Sequence, residues 1–224
     1  MRKAFAPRLD ALPPEQKGLW QELRPAASLG FVLYGGTAIA LRLGHRPSVD
    51  FDFFTEGPLD RHAVRAALPF MTRATVVQDA KDALSVLVPG SGGEHSHVKV
   101  SFFGGIDFGR VGVPERTEDG VLLVASLDDL MATKVKVVLQ RAEAKDYRDV
   151  ASMIRAGVSL ARGLAAARAM FGPEFQPSES LKALVFFGDG DLPTLTGDER
   201  ATLIAAVREV RELPKAEIVS SRLG

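Results

Sequence analysis

Asp50 and Asp52 stand one residue apart in Ser48-Val49-Asp50-Phe51-Asp52-Phe53-Phe54. The alternation of apolar and acidic residues predicts a strand, with Asp50 and Asp52 on one face and Val49, Phe51 and Phe53 on the other. Carboxylates so placed have α-carbons roughly 6–7 Å apart, within reach of one divalent cation or a pair. Bare, they would repel each other, and a hard cation such as Mg2+ or Mn2+ removes that cost. Fourteen residues before Asp50 stands Gly36, in Gly35-Gly36-Thr37. A glycine pair lets the chain approach a ligand closely, and a helix that follows presents backbone N–H groups to an anion. A phosphate cradle beside a magnesium site is what handling a nucleoside triphosphate requires. Each motif alone has a plainer meaning, a tight turn or a solvated edge strand. Phe51, Phe53 and Phe54 speak against the edge strand, because such residues belong against a core.

These residues need a scaffold. Phe31-Val32-Leu33-Tyr34 is a short apolar run stopped by the glycine pair, which predicts a buried strand. Thr37 to Leu43 then predicts a helix of barely two turns, ended by Gly44. Residues 14–25 form an amphipathic helix with Trp20 and Leu23 inward, and Asp60 to Leu68 another helix. Thr72–Val77, Ala83–Val88, His97–Phe103 and Gly120–Val124 complete the strands. Gln78–Asp82 serves as a hairpin link and Gly90-Ser91-Gly92-Gly93 as a loop. From Ser126 the pattern is helical. The expectation is an α/β (α+β) unit over residues 1–125, its mixed sheet flanked by helices, and a helical unit over 126–224.

Ser126 and Asp129 make a helix cap. Behind them Leu127, Leu130, Met131, Val135, Val138 and Leu139 form an apolar stripe that includes Lys134, with Lys136 on the opposite side. A lysine in such a stripe must snorkel to water or find an anion. The next helix, Lys145 to Ala156, turns Tyr147, Val150 and Ile154 inward. Asp146 falls at the edge of that face, and Lys145, Arg148 and Asp149 nearer solvent. Asp146 is thus the aspartate placed to serve a site, or else a helix-start carboxylate favoured by the dipole.

Composition narrows the rest. The chain has 224 residues, 46% hydrophobic and 25% charged, enough for one large domain or two small ones. No apolar run approaches the ~18–20 residues of a membrane span and no signal-peptide core appears, so the expected location is the cytoplasm, with no membrane partner. The absence of cysteine excludes disulfides, thiolate metal sites and a cysteine nucleophile. With 28 basic and 28 acidic residues, a nucleic acid would have to dock on a local patch. Lys134, Lys136, Arg141, Lys145 and Arg148 are the candidates. Glu94-His95-Ser96-His97 falls short of the ligands a metal site needs and reads as a solvated loop. Asp189-Gly190-Asp191 fails as a calcium loop, with Arg200 where the glutamate should stand, and reads as a turn.

Gly35-Gly36-Thr37-Ala38 followed by Leu43-Gly44-His45-Arg46-x-Ser48-x-Asp50-Phe51-Asp52-Phe53-Phe54 resembles the signature of the AbiEii/AbiGii toxin family of nucleotidyltransferases. The likeness continues at Val98–Phe103 and across Leu127 to Asp149, ending in Lys145-Asp146-Tyr147-Arg148-Asp149. The resemblance implies the nucleotidyltransferase fold of the DNA polymerase β type and a magnesium-dependent transfer of a nucleoside monophosphate from an NTP to an acceptor hydroxyl. It implies that Asp50 and Asp52 hold the metal and that Gly35, Gly36 and Thr37 bind phosphate. Lys134 would face the nucleotide and balance charge on the departing pyrophosphate, the helical unit completing the site. Asp146 would orient Lys134 or the acceptor. RNA, such as tRNA ends, is the acceptor in some relatives, and the family supplies the toxins of abortive-infection and toxin–antitoxin pairs, which implies a cognate antitoxin. One position departs from the fold's pattern: Ser101 stands where a third carboxylate is usual, and serine cannot replace it as base or charged ligand. Two alternatives therefore stay open, an NTP-binding protein without turnover and a phosphotransferase on the same fold.

Overall fold

The structure, a computed structural model, describes residues 4–90 and 96–224. The expected loop beyond Gly90 and the Glu94-His95 pair lie outside them. The chain divides into two compact units, one comprising Met1–Gly109, Val113–Ala125 and Ser221–Gly224, the other Arg110–Gly112 and Ser126–Ser220.

In the first unit the strands are β1 (Ala4–Phe5), β2 (Val32–Tyr34), β3 (Asp50–Phe54), β4 (Thr75–Ala80), β5 (Ala83–Pro89), β6 (His97–Phe103), β7 (Glu115–Thr117) and β8 (Leu123–Val124). Among the described residues they form one mixed sheet in the order β1-β7-β8-β2-β3-β6-β5-β4. Four helices accompany it: α1 (Pro14–Leu19), α2 (Pro25–Ser28), α3 (Gly35–Leu43) and α4 (Arg61–Ala67). The strand β3 lies centrally, antiparallel to β2 and parallel to β6. Its inward face is aromatic. Phe51 and Phe53 are fully buried with Val100 and Phe102 of β6, and Phe53 stacks on Phe102 at 5.3 Å. Burying each phenylalanine is worth about 1.5–3 kcal/mol. A one-residue slip would drive both aspartates into that core, so the register is fixed.

Several expectations need correction here. Val49 precedes the strand and is exposed. The helix expected over residues 14–25 is broken into α1, a 3-10 turn at Trp20–Leu23 and α2, although Trp20 and Leu23 are buried as expected. The helix after β2 starts at Gly35, two residues early. The strand β4 runs on through Gln78-Asp79-Ala80, which shortens the hairpin link to Lys81-Asp82. It is an edge strand exposed along its whole length, so no buried face imposed a pattern on its sequence. The strands β1 and β7 are too short to show periodicity at all.

The second unit contains α5 (Leu127–Val137), α6 (Ala144–Arg155), α7 (Leu160–Phe171), α8 (Pro177–Ala183) and α9 (Gly197–Glu209). Ser126 caps α5 by accepting the Asp129 N–H at 3.1 Å. The buried Asp129 carboxylate in turn accepts from Ser126 Oγ at 2.6 Å and Val111 N–H at 2.8 Å. Burial still pushes its carboxyl above the usual range, against those bonds. Helix α7 crosses α5 closely at Gly163, where a β-carbon would stand 2.1 Å from Met131 Cγ. The Asp189-Gly190-Asp191 turn is structural: the Asp191 carboxylate accepts the Ala144 N–H at the start of α6, at 2.6 Å.

Candidate active site

The β2–β3 pairing sets Tyr34 beside Asp52, so the residue after Tyr34 arrives directly over that carboxylate. Gly35 has φ +75°, and a β-carbon there would lie 2.8 Å from Asp52 Oδ2. Conformation and space both demand glycine. At Gly36 a β-carbon would meet Arg46 Nη2 at 2.5 Å and Ser48 Oγ at 3.1 Å. The two motifs found separately in the sequence are thus one structure, a glycine turn pressed onto an aspartate. Helix α3 begins in that turn with no side-chain cap, its first-turn amides being the anion-binding feature of such an end.

Asp50 and Asp52 are half-buried on the face opposite Phe51 and Phe53. Thr37 departs from expectation. It is buried, and its hydroxyl donates to the Asp50 carbonyl and lies 2.9 Å from Ser48 Oγ. That hydroxyl ties α3 to the start of β3.

On the other side of β3, the parallel register places Lys99 beside Asp50 and Ser101 beside Asp52. Ser101 is buried, its hydroxyl 3.1 Å from Ser85 Oγ, which lies 3.1 Å from Gln78 Oε1. A chain of neutral groups thus lies beside Asp52, where the resemblance implied a third carboxylate in other members of the fold. Among the described residues, no three His, Cys, Asp or Glu side chains gather as a metal site. The protein's own contribution is therefore two hard oxygen donors on one face, beside a turn whose two glycines bring no side chain of their own. That set fits a magnesium or manganese ion, which usually takes one or two carboxylates and completes its shell with water and substrate phosphate.

The second unit holds a cluster of its own. Lys134 is 5% exposed, with its ammonium 2.5 Å from Asp146 Oδ1 and 2.7 Å from Asp149 Oδ2. Lys134 has found anions and does not snorkel. Arg141 donates to both oxygens of Asp146, at 2.7 and 3.2 Å. Burial works to raise the Asp146 carboxyl, but the Arg141 hydrogen bond and the Lys134 charge outweigh it and hold it below the usual range. Asp149, expected near solvent, is fully buried. The reason is helical spacing: residues three apart share a face, so the face that carries Asp146 carries Asp149 too.

The proposed basic patch does not stand as free charge. Lys136 lies 4.7 Å from the Phe171 ring centroid. Lys145 pairs with Glu143 at 2.7 Å and Arg148 with Glu199 at 3.5 Å. Sequence reasoning set Asp149 nearer solvent and passed over Lys99 beside Asp50. Helical spacing would have found the first, but only strand register reveals the second.

A model of the family described as nucleotidyl transferase AbiEii toxin, type IV toxin–antitoxin system, matches residues 19–216. The chain belongs to the AbiEii family. It is 33% identical over 141 residues to an uncharacterized protein of Aquifex aeolicus, a match that takes in 60% of this chain and 65% of that relative. The chain thus spans less than two-thirds of the relative's length. A protein of H. pylori whose crystal structure was described as that of a candidate nucleotidyltransferase has the same fold. Its TM-score is 0.57 at 17% identity, covering 86% of this chain and 91% of that one. MenT4, a nucleotidyltransferase toxin of Mycobacterium tuberculosis, gives a TM-score of 0.46 at 15% identity over 84% of this chain and 86% of its own. The family match and the H. pylori structure together give the AbiEii-family chain the nucleotidyltransferase fold. Among its described residues no helix is long and apolar enough to cross a membrane.

Proposed function

We propose that this AbiEii-family chain transfers a nucleoside monophosphate from an NTP to an acceptor hydroxyl, releases pyrophosphate, and acts as the toxin of a toxin–antitoxin pair in the cytoplasm. The observation that carries the reading is the approach of Gly35 to Asp52, which brings the glycine turn against the acid pair. The turn backbone would bind phosphate oxygens and orient the triphosphate along α3. Asp50 and Asp52 would hold magnesium, which supplies Lewis-acid polarisation of the phosphorus under attack. We assign Lys134 to the charge of the departing pyrophosphate, with Asp146 and Asp149 as the residues that position it. RNA is the acceptor we favour, a cognate antitoxin the partner, and abortive infection the setting.

Two experiments test this. Purified protein given magnesium, labelled NTPs and total RNA should release pyrophosphate and label RNA, and Asp52→Ala should do neither. Release of a nucleoside diphosphate would instead identify a phosphotransferase. Expressed alone in a bacterium, the chain should slow growth, and Asp52→Ala at matched protein level should relieve it. Equal inhibition by both would defeat the enzymatic account. A second reading, nucleotide binding without turnover, draws on Ser101, whose buried neutral hydroxyl beside Asp52 can neither take a proton as a base nor ligate as an anion. It predicts binding of magnesium–NTP with no pyrophosphate at any acceptor concentration.

A further inference from the structure

Lys99 has no place in the scheme above, yet it is the immediate neighbour of Asp50 across the β3–β6 pairing. Residues in register on parallel strands share a face, so Lys99 lies on the face of Asp50, Asp52 and Ser101. On its other side it registers with Leu87 of β5. It is exposed, whereas Ser101 and Ser85 on the same face are each 1% exposed. Lysines often guard sheet edges against pairing, but β6 is an inner strand with β3 on one side and β5 on the other, so that explanation fails here. Its ammonium makes no ion pair among the described residues, although a carboxylate stands on the adjacent strand. The stem rises between Asp50 and Leu87 and its charge is left to solvent.

The two flanks of β3 differ. The glycine turn and α3 follow β2 on one side, over Asp52, and Lys99 stands on β6 on the other, beside Asp50. A triphosphate seated on the glycine turn takes the first flank, which leaves the second for the acceptor. We propose that Lys99 is the acceptor-side binding residue: its ammonium meets a phosphate of the acceptor next to the hydroxyl that is to be modified. This rests on Asp50 and Asp52 being the NTP site. A hydroxyl that ends a nucleic-acid strand has a phosphodiester one nucleotide away, within the span of a lysine lying beside the acid pair. A protein hydroxyl brings no such anion of its own.

The test uses full-length protein, Lys99→Gln, Lys99→Arg and Asp52→Ala. Binding of a fluorescent single-stranded RNA with a free 3′-hydroxyl is followed by anisotropy over a series of salt concentrations. Lys99→Gln should bind more weakly, with the slope of log affinity against log salt reduced by about 0.7, the value for one phosphate contact to a single strand. Lys99→Arg should restore both. Thermal stabilisation by each magnesium–NTP should be unchanged in Lys99→Gln and lost in Asp52→Ala. An unchanged RNA affinity and slope in Lys99→Gln overturns the proposal, as does wild-type protein that binds no RNA. Loss of the NTP response in Lys99→Gln places Lys99 on the donor flank and overturns it too. Wild type and Asp52→Ala that respond alike to magnesium–NTP would instead defeat the NTP-site reading.

Discussion

Lys134→Met removes the cation that faces two fully buried carboxylates while keeping most of the side-chain volume. Breaking a buried ion pair from one side costs about 3–5 kcal/mol, because the remaining charge has neither water nor partner. Arg141 still holds Asp146 from a half-exposed position, so the lower end of that range, about 3 kcal/mol near neutral pH, is expected. At about 2–4 °C per kcal/mol for a chain of this size, the melting temperature should fall by about 6–12 °C. The sign with pH follows from Asp146. In wild type its carboxyl is held below the unfolded value of 3.8, so its contribution is complete above that value and is lost as pH falls through the folded one. In the variant the Lys134 charge is gone and burial favours the neutral acid, so protonation begins at higher pH and relieves the repulsion. The gap between the two proteins should therefore be widest near neutral pH, narrow as the variant's carboxylates take up protons on acidification, and close only once pH has fallen through the lowered value of Asp146 in wild type. Urea unfolding followed by helical circular dichroism at several pH values measures it, with Lys134→Met/Asp149→Asn recovering part of the loss at neutral pH. A gap below about 0.5 kcal/mol, the scatter of ordinary surface changes, or one independent of pH would refute the electrostatic account.

Lys136→Ala should cost only about 0.5–1 kcal/mol, the loss of its contact with Phe171, and keep nucleotide-dependent activity; an activity loss equal to that of Lys134→Met would show that the face of α5 was wrongly assigned. Gly35→Ala should lower stability by about 1–3 kcal/mol and abolish stabilisation by magnesium–NTP, since φ is +75° and the new methyl group would displace the Asp52 carboxylate. Gly36→Ala should cost less, because the atom it first meets is the end of the flexible Arg46 side chain, and calorimetry with and without ligand separates the two.

The strongest local signals were read correctly because their causes are local. The alternation from Asp50 to Phe54 follows from the two-residue repeat of a strand, and β6 from His97 to Phe103 has the bounds its sequence predicted. Ser126 capping α5 needs only the amides of its own first turn. Lys134 within an apolar stripe announced a lysine that must snorkel to water or find an anion, and periodicity could not choose between them. Which anions it met depended on how α6 packs against α5, and the answer was Asp146 and Asp149 together. Edge strand β4 and the short strands β1 and β7 left little trace, since an exposed or two-residue strand imposes no apolar repeat.

What the sequence determined alone is the set of parts: a glycine turn, an acid pair on one strand face and a lysine on an apolar helix face, to which the family resemblance adds a serine where that fold usually has a carboxylate. Tertiary structure decided which parts meet. Hydrogen bonding between distant strands set Gly35 over Asp52, Ser101 beside it and Lys99 beside Asp50, and it turned the Thr37 hydroxyl into a tie between α3 and β3. Side-chain direction within an element repeats with a fixed period and can be read along the chain, whereas the partner across a sheet is chosen by register, which the whole core fixes at once.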